Sequence, residues 1–188
     1  MENISTSLDI KEPGLRTLPP GVERYFVKGG GLSVIEISAE DKIEIINDEG
    51  KQISELVVFN SKGKSDLSIL NLKENGDASF SKKAILQDEK ISKLFKHKNI
   101  DISKAKSSAI FDKDCQVGEK ITLTSKDKCT VMIAAPGEAM SVHDQNPPTD
   151  LTVFLNKSKF VKSEEQFFLP DPLGEPSFEK AINLQGIF

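Results

Sequence analysis

Tryptophan is absent from the 188 residues, tyrosine occurs once, and histidine and cysteine occur twice each. Each shortage removes a class of function. Without Trp, with a single Tyr, and with Lys and Arg dispersed at a formal net charge of −4, the chain has no cationic stripe for a phosphate backbone. It also lacks an aromatic platform for bases, so nucleic acid is not expected as a partner. No apolar run approaches the roughly 18 residues of a membrane helix, and no membrane association is expected. The first eleven residues show neither the basic start and apolar stretch of a secretory signal nor an Arg-rich transit peptide, which makes the cytoplasm the expected compartment. Cys115 and Cys129 are too few for a disulfide-dense secreted domain, and their spacing fits neither a CxxC pair nor a zinc knuckle. Both are expected to be reduced. Cys129, inside the apolar stretch Cys129-Thr130-Val131-Met132-Ile133, reads as a small core residue. Arginine is nearly missing, with Arg16 and Arg24 the only two.

What is present is a succession of short β-branched runs separated by turn residues. Pro13, Gly14, Pro19 and Pro20 make residues 1–20 an arm leading into the fold. A run over 22–28, then Gly29-Gly30-Gly31, then Leu32-Ser33-Val34-Ile35-Glu36-Ile37, predicts a β-hairpin or bulged pair. Residues 42–46 and 53–59, joined across Asn47-Asp48-Glu49-Gly50, predict two more strands paired locally, with Gly50 at a positive φ. Residues 66–72 suggest an edge strand. Between Lys82 and Lys98 the period changes: Ile85, Leu86, Ile91, Leu94 and Phe95 share one face of one or two helices, with a break near Gln87. Strands resume over 120–124, 128–135 and 150–156. About eight strands and one helical segment predict a mostly β fold, a sandwich or barrel-like antiparallel β domain with one helical insert. The predicted organisation is an arm over 1–20, the β domain over 21–160, and a linker or arm over 161–188, where Pro170, Pro172 and Pro176 exclude a ladder or helix interior.

Candidate chemistry is sparse. The three glycines follow a strand but lead into another strand and not into a helix N-terminus, so a hairpin turn is the plainer reading than a phosphate cradle. His97, between two lysines at the end of a helix, reads as a solvated surface residue. His143-Asp144 pairs an imidazole with a carboxylate, the makings of a general base or a metal ligand. A zinc site needs three or four converging ligands and no second His stands nearby in sequence. A nucleophilic pair of Cys115 with His143 would require tertiary contact. The densest local pattern runs from Ala134-Ala135-Pro136-Gly137-Glu138-Ala139-Met140 to His143-Asp144-Gln145-Asn146-Pro147-Pro148-Thr149-Asp150. Such an ordered excursion between two strands offers Glu138, His143, Asp144 and Asp150 as ligand-binding candidates. On the alternative reading, Pro147-Pro148 sets the entry of the last strand while Thr149 and Asp150 satisfy loop backbone groups. No catalytic or metal-ligating residue is assigned.

That segment, from Thr130 to Met140 and from Asp144 to Leu151, resembles the closing part of the urea carboxylase-associated domain, a domain of unknown function. More narrowly, it is similar to the divergent copy at the N-terminus of fusion proteins that end in a glycine-cleavage T-protein-like, folate-dependent aminomethyltransferase. Val27-Lys28-Gly29-Gly30-Gly31 and the run from Asp48-Glu49-Gly50-Lys51-Gln52 to Leu56 resemble the family's opening, where a D-x-x-G-x-Q turn precedes a strand. The tail from Leu169 to Glu175 resembles the linker to the next copy. Stand-alone members carry a Cys- and His-bearing segment in mid-domain, where this chain has Ser79 to Ser108 with only His97. The resemblance implies an accessory or substrate-handling domain of a one-carbon, small-amine enzyme. It implies no cofactor on this chain, tetrahydrofolate for the parent protein, and partner aminomethyltransferase domains in cis or in trans. A homo-oligomer is a further expectation, and the alternative function is a small-molecule-binding or metal-dependent enzyme domain of urea or amine metabolism.

Overall fold

Lys42-Ile43-Glu44-Ile45-Ile46-Asn47 alternates exposed or half-buried residues with buried ones, as a strand does when one face meets a core and the other meets water. Leu56-Val57-Val58-Phe59 and Val131-Met132-Ile133-Ala134 do not alternate; all eight are fully buried. These two patterns correspond to two different sheets. In the computed structural model, which describes residues 18–87, 89–137 and 147–159, the described strands are β1 (Val22–Val27), β2 (Leu32–Ile37), β3 (Lys42–Asn47), β4 (Glu55–Asn60), β5 (Glu119–Thr124), β6 (Cys129–Ala134) and β7 (Leu151–Asn156). The odd-numbered strands form one antiparallel sheet in the order β1-β7-β3-β5, and the even-numbered strands form the other in the order β2-β6-β4.

Every connection therefore crosses from one sheet to the other, the strand-crossing pattern of a jelly roll with seven strands in place of eight. The expected mostly β sandwich is observed. The expected local pairings are not: β1 pairs with β7 and β2 with β6, while β3 lies between β7 and β5 and β4 pairs with β6. The physical reason is burial. A hairpin would leave consecutive strands side by side in one sheet, whereas sending alternate strands to opposite sheets lets each cover the other's apolar face. Between the sheets lie Val27, Ile35, Ile37, Ile43, Ile45, Leu56, Val58, Val131, Ile133, Val153 and Leu155.

The outer face of the three-stranded sheet is covered by the helical segment, α1 (Ser79–Gln87) and α2 (Glu89–His97), which follows β4. Ile85 and Phe95 pack with Val57, Phe59 and Met132, and the Phe59 and Phe95 rings meet edge to face at 6.0 Å. Coverage on both faces explains the continuous apolar runs of β4 and β6. Glu55, at the start of β4, accepts hydrogen bonds from the amides of Phe80 and Ser81 and so caps α1. Leu86, expected on the buried face, is 72% exposed, because within α1 it stands one residue, about 100° of helix rotation, from buried Ile85.

The edge strand expected over 66–72 is instead a 3-10 turn, Leu67–Leu70. Asp66 accepts from the amide of Ser68 and Asn71 closes the turn at φ 58°, a local side-chain bond outcompeting the ladder. Apart from residues 18–20, the expected arms at 1–20 and 161–188 lie outside the described residues.

Candidate functional site at the loop-bearing end

The strand registers gather four connections at one end of the sandwich. Val27 and Asn47 both stand opposite Leu151, Asn47 stands opposite Glu119, and Leu32 and Glu55 stand opposite Ala134. The segments 28–31, 48–54, 105–118 and the described residues 135–137 and 147–150 accordingly share that end, and the last two flank the excursion singled out from the sequence.

One side chain ties the base of that excursion. Gln52, nearly buried, donates through Nε2 to the carbonyls of Ile53 at 2.7 Å and Pro136 at 2.9 Å, and its Oε1 accepts the amide of Thr149 at 2.7 Å. It thus holds the two ends of the stretch from Pro136 to Thr149 together. Gln52 is itself held from inside the core: fully buried Asn47 donates through Nδ2 to the Gln52 carbonyl at 2.8 Å and to Cys115 Sγ at 3.3 Å. Among the described residues, Asn47 Oδ1 and Thr149 Oγ1 are buried without a hydrogen-bond partner. Gly50, at φ 75°, makes the turn into this network.

Asp150 supplies the second tie. Its carboxylate accepts the Gly29 amide at 2.9 Å and the Lys28 ammonium at 3.0 Å. The Gly29 amide, then the Lys28 charge, hold the carboxyl below its ordinary range. Gly29 is pressed against the excursion so closely that a Cβ there would lie 2.2 Å from the Pro148 carbonyl oxygen. The other two glycine amides are also committed, Gly30 to the Ala135 carbonyl and Gly31 to the Lys28 carbonyl. Three amides already bonded within the protein leave no cradle for a phosphate. The glycines make a crossing between sheets, not the expected hairpin. Further round the rim, Thr152 donates to Asp48 at 2.7 Å, and Ser54 Oγ accepts the amides of Ile110 and Phe111.

Cys115 is buried and free, and burial, followed by the nearby Glu119 carboxylate, pushes its thiol up to about 11. Such a thiol is a poor nucleophile at neutral pH. Cys129 is buried at the opposite end of the sandwich, as expected of a core residue, within 3.4 Å of Ser125 Oγ. His97 is exposed.

Set beside known proteins, the sequence matches no family profile. It is similar to an enzyme of small-amine chemistry. The chain is 32% identical over 171 residues to a protein named trimethylamine-oxide aldolase from Ruegeria pomeroyi, an alignment that takes in 89% of this chain and 22% of that protein. The chain thus spans about a fifth of the length of the curated relative it matches.

Of the four ligand-binding candidates, Asp150 is placed on the Gly29 amide and Lys28. Glu138, His143 and Asp144 lie outside the described residues, as does the contact that a Cys115–His143 pair would need. Among the described residues no three His, Cys, Asp or Glu side chains cluster as metal ligands, and no helix is long and apolar enough to cross a membrane. The residues that organise this end, Gln52, Asn47 and Gly29, were not singled out as site residues. The signals were in the sequence nonetheless: Gln52 closes the D-x-x-G-x-Q turn, and Gly29 precedes the one glycine of its triplet that adopts a positive φ.

Proposed function

We infer that this chain is an accessory or substrate-handling domain, non-catalytic by itself, of a protein of one-carbon and small-amine metabolism. The observation that carries this reading is its 32% identity to about a fifth of a trimethylamine-oxide aldolase. The loop-bearing end supports it, because there the polar groups of Gln52 and Asp150 are engaged by backbone amides and carbonyls of neighbouring loops. A side chain engaged in structural hydrogen bonds is less free to abstract a proton or bind a reacting atom. On the finer reading, the domain is of the urea carboxylase-associated type, spans 21–160, and is followed by a linker over 161–188. It packs against aminomethyltransferase domains that hold tetrahydrofolate, in the same chain or another.

The test is turnover and metal content. Purified chain incubated with trimethylamine oxide, with and without tetrahydrofolate, is expected to consume none of the amine oxide. Elemental analysis is expected to show no stoichiometric metal. Sustained turnover by the isolated chain, or one bound metal per chain that is lost on His143→Ala, overturns the accessory reading in favour of a metal-dependent enzyme domain.

A further inference from the structure

The three-stranded sheet ends at β4, whose residues Leu56, Val57, Val58 and Phe59 are fully buried. At Leu56 the outer edge of this strand is closed by a strap, residues 105–111. Ser108 exchanges both backbone hydrogen bonds with Leu56, at 2.8 and 2.9 Å, and Ser54 Oγ holds the amides of Ile110 and Phe111. Left unpaired, the edge of so apolar a strand is open to pairing with another chain. The strap is gripped in turn from its far side by Asn75 and Gly76. The Ser107 carbonyl accepts both of their amides, at 3.0 and 3.1 Å, and the Ser107 amide donates to the Gly76 carbonyl at 2.9 Å. The Asn75 side chain carries the ladder one step further, its Oδ1 accepting the Ala109 amide at 2.7 Å and its Nδ2 reaching the Ala109 carbonyl at 3.5 Å. Ser107 Oγ accepts the amide of Ala78, the residue before α1.

Asn75-Gly76 is the one Asn-Gly pair in the 188 residues. Such a pair is prone to close on itself, because glycine sets no side chain in the way of its own amide nitrogen. That nitrogen attacks Asn75 Cγ, a C–N bond forms, Nδ2 departs as ammonia with the amide proton, and a cyclic imide remains. Solvent water then opens the imide at either carbonyl, giving aspartate or, with the main chain rerouted through the side chain, isoaspartate. The fold opposes the first step twice. The Gly76 amide has to give up a proton it shares with the Ser107 carbonyl, and the Asn75 carboxamide, pinned on Ala109, is not free to turn onto the Gly76 nitrogen. We propose that Asn75 is a self-modification site governed by this strap: the closed strap holds the reaction back, each opening permits it, and the product keeps the strap from closing again. Isoaspartate adds a main-chain carbon ahead of the Gly76 nitrogen, so Gly76 and the side chain of residue 75 no longer meet Ser107 and Ala109 in one register. Aspartate keeps an acceptor for the Ala109 amide but sets a carboxylate, which has no proton to donate, against the Ala109 carbonyl. The modification thus marks, irreversibly, chains whose β4 edge has been uncovered. The inference is independent of the proposed activity and stands or falls by a different measurement.

The test incubates the full chain in mildly alkaline buffer, folded or unfolded in guanidinium chloride, and reads the peptide containing residue 75 by mass spectrometry, with isoaspartate detected by enzymatic methylation. Asn75 is expected to convert in the unfolded chain and at least about tenfold more slowly in the folded one, because only the open fraction reacts. Ser107→Ala removes the bond from the Ala78 amide, and Ser54→Ala frees the amides of Ile110 and Phe111. Each is expected to speed conversion in the folded chain severalfold and to leave the unfolded rate unchanged, while the thermal midpoint reports that the fold is retained. Asn75→Asp, which copies one product, is expected to raise native-state tryptic cleavage at the exposed strap residues Lys104 and Lys106 severalfold. No conversion in the unfolded chain overturns the proposal, as does a folded rate equal to the unfolded one. A folded rate unmoved by both serine variants, or tryptic cleavage unmoved by Asn75→Asp, overturns it as well.

Discussion

Gln52 offers the sharpest perturbation, because its amide serves both ends of the 136–149 excursion with opposite chemistry. Gln52→Leu keeps much of the volume and removes the Nε2 donor from the Pro136 carbonyl and the Oε1 acceptor from the Thr149 amide. At about 1 kcal/mol for each hydrogen bond, and up to about 1–3 kcal/mol for a buried group left unpaired, the loss is about 2–4 kcal/mol. For a domain of this size that lowers the thermal midpoint by roughly 4–16 °C. Gln52→Glu distinguishes a hydrogen-bond effect from a packing effect. An ionised glutamate still accepts from Thr149 but faces the Ile53 and Pro136 carbonyls with no proton to donate. Protonation restores a donor, so its deficit relative to the parent shrinks as pH falls into the carboxyl range. Urea unfolding as a function of pH, together with the exchange rate of the Thr149 amide, measures both. A loss in Gln52→Leu below about 0.5 kcal/mol, the size of an ordinary surface substitution, with Thr149 exchange unchanged, refutes the clamp.

The glycines give a paired prediction. Gly29→Ala places a Cβ against the Pro148 backbone and is expected to cost more than about 3 kcal/mol, beyond the usual range of point substitutions. Gly30→Ala meets nothing closer than 3.6 Å and is expected to cost only about 1 kcal/mol for its positive φ; equal losses in urea unfolding argue against the close approach. Because the Asp150 carboxyl is held below its ordinary range in the folded state, the folded protein binds fewer protons there than the unfolded chain does. Its contribution is present above the unfolded carboxyl range and is lost as pH falls through the lower folded value. The stability gap between the parent and Asp150→Asn should therefore close on acidification, and a gap independent of pH contradicts the assignment. Cys115, with its thiol pushed up to about 11, is expected to resist alkylation at pH 8 until the protein unfolds. Rapid labelling of Cys115 under native conditions, followed by mass spectrometry, would show an exposed and activated thiol instead.

The sequence by itself determined the element types, because those depend on near neighbours. Short β-branched runs between turn residues marked the strands β1 to β7, and the helical period with charged opposite positions marked the segment of α1 and α2. Buried Cys129 and exposed His97 followed from their immediate context in the same way. Where a side chain bonded locally against the expected pattern, as Asp66 does to Ser68, the reading of a strand failed because capping and ladder formation compete for the same amides. The tertiary structure alone decided which strands pair. Short apolar strands in succession satisfy a hairpin and a crossing equally well over a few residues, and what selects the crossing is the burial of two sheets against each other over the whole chain. The same holds for the loop-bearing end: Gln52 is an ordinary polar residue in a turn until β3, β6 and β7 bring Pro136 and Thr149 to either side of its amide.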